Sequence, residues 1–263
     1  MYLYALLLVL GLFLAVFGCL HLGRSLGRRR LLSDATAHEG LGAVDGAVFG
    51  MMGLLLAFTF TGAASRFDDR RDMIVSEVNA IGTAWLRLDV LQEKPRDEMR
   101  SLFREYLDGR IAVYRQVTLE DFHPHARIHV AVLQQRLWDG LQAALKDDGR
   151  PTLLNFVLPP VNDMFDIAEA RYRATQQHPP IAIYLLLGLL VLVAALLAGF
   201  GMAKTQRQSL LHMIGFAAVT AIAVYLIIDL EYPRFGIVRV DEFDQALLDL
   251  RASMDTGSIV EGR

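Results

Sequence analysis

Three clusters of polar residues in this sequence have types and spacings that could do chemistry, and each also has a plainer structural use. Asp121, His123, His125 and His129 come nearest to a metal motif. His125 and His129 stand four apart on a predicted helix, so both imidazoles can face one ion. Two ligands do not complete a site, and no HExxH pattern accompanies them. Histidines beside Pro124 are also ordinary loop residues. His125 and His129 are the candidates should a metal be held, but no metal or other cofactor is expected.

Arg66, Arg70 and Arg71 form the second cluster, interleaved with Asp68, Asp69 and Asp72. Repeated around an assembly, such guanidinium groups would concentrate anions at a pore mouth. Local ion pairing and anchoring at the membrane surface is the plainer use, and the Asp neighbours favour it. Further along, Asn79 and Thr83 share one helix face, suited to a polar vestibule or to interhelical hydrogen bonds. Asp229 and Glu231 make the third cluster. They precede Pro233 and could bind a cation, but the default expectation is that they pair with Arg234 and Arg239. No Ser-His-Asp set, phosphate-binding loop, GxGxxG turn or pair of catalytic carboxylates is present, so enzymatic activity is not expected.

The elements that must hold these residues are apolar helices. Hydrophobic residues make up 54% of the chain and charged ones 21%. Soluble domains run at about 45–50% and about 25%, and here the apolar excess is concentrated in four runs. A bilayer core of about 30 Å needs roughly 20 apolar residues of helix. Residues 1–22, 44–64, 181–203 and 210–230 each reach that length. Basic residues follow the first run instead of preceding it, which predicts a retained span and not a signal peptide. The net charge of −3 offers no field for nucleic acid. Cys19, the single cysteine, excludes an intrachain disulfide and a zinc site of several thiolates.

The second span is the distinctive one. Gly46, Gly50, Gly53 and Ala57, continued by Thr61 and Ala64, put small side chains along one face. Such a face lets helices approach closely, within one subunit or between subunits. Alternatively the same helix lines a pore, with Phe58, Thr59, Phe60 and Thr61 as the lumen candidates, since an apolar constriction gates by dewetting. No Asp, Glu, Lys or Arg lies near the middle of any span, which argues against an ion-coupled carrier.

Between the hairpins, residues 66–180 read as a helical extramembrane domain. No proline follows Arg66 until Pro95, so the second span can continue as one long helix. Val78, Ile81, Trp85 and Leu88 then form a bundle seam on it. Further helices are expected from Pro95 to about Thr118, from Pro124 to Asp147 and from Thr152 to Gln177. The last contains Pro159-Pro160, which is expected to kink or interrupt it. Alternating apolar patterns are scarce, so almost no sheet is expected. The fold class is therefore an all-α membrane protein, with four transmembrane helices and a helical domain between the second and third. Residues 1–65 and 181–230 are the two membrane hairpins, and 231–256 a C-terminal tail. Residues 257–263 look like a cloning and protease-site remnant.

Several segments carry a family resemblance. Gly53-Leu54-Leu55-Leu56-Ala57-Phe58-Thr59-Phe60 leads into Arg66-Phe67 and Arg70-Arg71. Glu77-Val78-Asn79-Ala80-Ile81-Gly82-Thr83-Ala84-Trp85-Leu86-Arg87 follows. After the fourth span comes Asp229-Leu230-Glu231-Tyr232-Pro233-Arg234-Phe235-Gly236. Together they resemble the DUF4239 family of bacterial and plant membrane proteins, often called bestrophin-like, over about residues 40–250.

The resemblance implies the bestrophin layout, a homo-oligomer (a pentamer) and an ion channel that passes an inorganic anion. An aromatic-rich bestrophin neck and an acidic calcium clasp have no counterpart in this sequence. Expected partners are the lipid bilayer, further copies of the chain and an inorganic anion, with no nucleic acid. The expected location is the bacterial inner membrane. The alternative is a non-conducting membrane scaffold or sensor whose helical domain binds a partner or ligand. Arg24, Arg28, Arg29, Arg30, Lys204 and Arg207 place their short loops in the cytoplasm and the domain outside. The resemblance implies the opposite orientation.

Overall fold

Prolines and long apolar runs set the helix boundaries. The computed structural model describes residues 2–33, 42–115, 124–204, 210–234, 236–240 and 243–256. Among them the regular structure is helical throughout: α1 (Tyr2–Ser33), α2 (Gly42–Arg87), α3 (Glu93–Arg115), α4 (Pro124–Asp147), α5 (Pro151–Gln176), α6 (Ile181–Gly201), α7 (Leu210–Glu231) and α8 (Gln245–Thr256). Pro124 and Pro151 open their helices and Pro95 sits in the first turn of α3, where a missing N–H costs nothing. Four helices are long and apolar enough to cross a membrane. α1 runs past its expected end at residue 22 to Ser33. α2 continues unbroken from the second span to Arg87. The expected end of the third helix near Thr118 lies outside the described residues.

Of the two outcomes expected at Pro159-Pro160, a kink or an interruption, the interruption does not occur: α5 runs on through the pair. Proline at 160 removes the N–H that would serve the Phe156 carbonyl. Arg87 supplies a substitute: its Nη1 donates to the Phe156 carbonyl at 2.6 Å. The guanidinium also lies 4.5 Å from the centre of the Phe156 ring.

The chain divides into two compact units, residues 1–67 with 178–238 and residues 68–177 with 239–263. In the first, Val16, Leu20, Leu187, Val191, Met213 and Ala217 are core residues. α1 and α6 touch backbone to backbone. A Cβ on Gly23 would strike the Leu196 carbonyl, and one on Gly199 the Leu20 carbonyl. Close approach through small residues is how helices associate in lipid. The α2 stripe behaves differently. At Gly46, Gly50 and Gly53 an added Cβ would have no atom of the described chain within 4 Å.

The second unit has a conventional core. Leu133, Leu137, Leu141 and Leu145 recur every four residues on α4 and are all buried. They join Phe103 and Leu107 of α3 and Val161 and Met164 of α5. Leu247, Leu250 and Met254 of α8 complete the cluster. The segment read from sequence as a tail thus contributes to a core. Residues 257–263 lie outside the described residues.

Candidate functional site

α2 carries most of the residues singled out from sequence. Over its membrane portion Met52, Leu55, Leu56 and Ala63 face the chain's own core. The opposite surface is open. Gly46, Gly50, Gly53, Ala57 and Thr61 lie exposed on one flank. Met51, Leu54 and Phe58 form another, with Phe58 66% exposed. Phe60 is exposed as well. The Thr59 hydroxyl donates back to the carbonyls of Leu55 (2.7 Å) and Leu56 (3.1 Å), so its polarity is spent on its own helix.

The three arginines have separate fates. Arg66 meets Glu231, its Nε at 2.9 Å and its Nη2 at 2.8 Å from Oε2. This paired geometry is the strong form of a charge-assisted hydrogen bond. The other Glu231 oxygen lies 3.0 Å from His178 Nδ1, and the His178 ring stacks on Tyr232 at 4.7 Å. Arg70 is buried and caps the end of α5, donating to the carbonyls of Ala174 (3.1 Å) and Gln177 (3.0 Å). Those carbonyls lack intrahelical partners, and a cation there also suits the helix dipole. Arg71 stays partly exposed near Asp68 (3.7 Å) and Asp72 (3.9 Å). Asn79 is exposed and lines a groove of about 500 Å³ with Ser76, Thr83, Arg87, Asp163 and Asp166.

A buried network escaped the sequence reading. Glu77 is wholly buried and accepts from Arg110 Nε at 2.5 Å and Arg171 Nη1 at 2.6 Å. Arg171 also donates to Asp244 at 2.5 Å, and its guanidinium lies 3.7 Å from the centre of the Tyr114 ring. Burial alone would raise the Glu77 pKa. The two guanidiniums outweigh it and hold the carboxyl below the usual carboxylate range. Two carboxylates and two guanidiniums balance in charge, which makes such burial tolerable. The sequence does not reveal the pairing, because the partners of Glu77 lie on distant helices.

Asp229 accepts from the Tyr225 hydroxyl (2.8 Å) and from the backbone N–H groups of Ile237 (3.0 Å) and Val238 (2.8 Å). Gly236 permits this, since a Cβ there would overlap the Asp229 carboxylate. Asp229 and Glu231 thus find these partners in addition to, or in place of, the arginines that follow them. His129 is exposed, 4.0 Å from Glu105. The His125 side chain, His123 and Asp121 lie outside the described residues. Among the described residues no three His, Cys, Asp or Glu side chains cluster as metal ligands.

The comparisons with known proteins agree with this architecture. The family model for the bestrophin-like domain matches residues 3–243. A crystal structure of a bacterial bestrophin homologue from Klebsiella pneumoniae is similar, with a TM-score of 0.66 and 14% identity, over 96% of this chain and 99% of that one. A leucine-to-threonine variant of that homologue gives 0.71 and 13%, over 97% and 99%. A crystal structure of a membrane protein with a serine-to-alanine substitution gives 0.72 and 13%, over 98% and 100%. No curated protein matches the chain. Identities this low establish a shared fold, while the family match spans nearly the whole length. This multi-pass membrane protein belongs to the bestrophin-like family.

Proposed function

We propose that this protein is an oligomeric ion channel in which α2 of each copy lines a common axis, and that it passes inorganic anions. The observation carrying this reading is the membrane portion of α2. Its small-residue flank and its Met51–Leu54–Phe58 flank are both open in the single chain. A ring of copies, five by the family resemblance, gives those flanks partners, with Gly46, Gly50, Gly53 and Ala57 packing between neighbours. Phe58, Thr59, Phe60 and Thr61 are then the lumen candidates, and their apolar surface suits gating by dewetting.

Arg71, half-buried, and Asn79, exposed, are the favoured pore-mouth groups. Arg66 and Arg70 are engaged by Glu231 and by the end of α5, and serve to position α2. The channel would sit in a bacterial inner membrane. Purified protein in planar bilayers is expected to carry discrete currents whose reversal potential follows the chloride gradient. Silence at all voltages from a monomeric or dimeric particle would overturn the reading and favour a non-conducting scaffold.

A further inference from the structure

A second site stands in the helical unit, independent of whether the protein conducts. A cavity of about 120 Å³ lies among α3, α4 and α5, with Arg110, Arg127, Gln134, Phe165, Glu169 and Tyr172 in its wall. Arg110 is only 5% exposed. Its Nε serves Glu77, and its Nη2 serves the Tyr114 hydroxyl (3.1 Å) and the Ala168 carbonyl (3.4 Å). Its Nη1 has no hydrogen-bond acceptor among the described residues. The Arg127 guanidinium carbon lies over the Tyr172 ring, 3.4 Å from its centre, and no acceptor among the described residues meets it. The one acid in the wall, Glu169, is engaged by Arg173 at 2.9 Å.

Glu77 balances Arg110, so among the described residues the wall keeps one cation without an acid, Arg127, and one unspent donor on Arg110. A guanidinium and a further N–H donor facing one cavity suit a ligand that brings acceptors and negative charge. Its volume is that of a few waters, enough for a halide or a short carboxylate group. A carboxylate would meet a guanidinium edge-on, and a halide would sit between the two. We infer that this cavity is a binding site for a small monovalent anion, a halide or a short carboxylate, held by Arg110, Arg127 and Gln134.

The test uses the full chain purified in detergent with sodium gluconate, a bulky anion, as the background salt. Sodium bromide or sodium acetate then replaces gluconate at constant ionic strength while the thermal unfolding midpoint is followed. A saturable rise is expected. Saturation by bromide alone identifies a halide site, by acetate alone a carboxylate site, and by both a site that selects size and charge. Arg127→Met and Gln134→Leu should each weaken the apparent affinity by roughly tenfold or more, the loss of a charge-assisted or ion-directed hydrogen bond. Arg136→Met, an exposed change outside the cavity wall, should leave it unaltered. Should both cavity variants fail to fold, crystals of the unaltered chain decide: the saturating anion is expected between Arg110 and Arg127. The inference is overturned by a midpoint that does not saturate, by undiminished affinity in both variants, or by a crystal showing no anion there.

Discussion

Glu77 and Glu231 are both fully buried carboxylates that meet basic side chains, yet they sit in different physical situations. Around Glu77 the partners Arg110 and Arg171 are themselves buried, so every charge depends on the others. Around Glu231 the partners Arg66 and His178 keep 29% and 30% of their side chains exposed. Water can replace a lost partner in the second case and not in the first. The Glu77 network is thus a closed charge balance inside the helical unit. The Glu231 contact is a latch holding Arg66 of α2 and His178 to the end of α7, open to solvent on its far side.

Removing the carboxylate should separate the two. Glu77→Ala leaves two buried guanidiniums uncompensated and is expected to cost ~3–5 kcal/mol, measured by denaturant unfolding in detergent. The pH dependence follows from the direction of the Glu77 shift. Its folded pKa lies below the unfolded value, so its stabilisation is fully present above about pH 4.3 and is lost as pH falls through the folded value. Glu77→Gln should flatten that acid limb. An unchanged limb in this variant would show that other carboxylates produce it.

Glu231→Gln is expected to cost less, ~1–3 kcal/mol, because Arg66 and His178 can turn to water. Equal losses at positions 77 and 231 would erase the distinction between a sealed network and an open latch. Gly236→Ala probes the same end of α7 from the backbone. The new Cβ overlaps a carboxylate pinned by three donors, so a loss of ~1–3 kcal/mol is expected. Pairing it with Asp229→Ala should recover part of that loss, and an additive result would place the clash elsewhere.

These contrasts also mark what could be read from the sequence. The four spans were legible because length and apolarity decide them, and α2 was legible as one helix because no proline intervenes. Partners were not. Glu77 meets Arg110 and Arg171, and Glu231 meets Arg66, across separations that no local periodicity encodes. The glycines make the same point. Gly46, Gly50 and Gly53 have the spacing expected of a contact face and face open space within the chain, whereas Gly23 and Gly199 carry backbone contacts. Spacing places small residues on one face, but the neighbour that meets the face is decided by tertiary packing. Candidate pore residues are legible in the sequence as a group, while the separation of Arg66 and Arg70, tied to Glu231 and the end of α5, from half-buried Arg71 and exposed Asn79 needs coordinates.

The smallest expected effect gives the sharpest control. Arg87 is a cation on α2 that serves a carbonyl instead of a carboxylate, at a site open to solvent. Arg87→Met should cost only ~1 kcal/mol, since water can reach the Phe156 carbonyl. The cause can be isolated, because the carbonyl lacks its helical donor only while residue 160 is proline. Pro160→Ala restores an N–H at that position, and in its background Arg87→Met should cost measurably less than in the unaltered chain. A double-mutant cycle by thermal unfolding reads this directly as a coupling term. A coupling of zero would mean that Arg87 acts through its contact with the Phe156 ring. α5 would then pass through its proline pair without a borrowed donor.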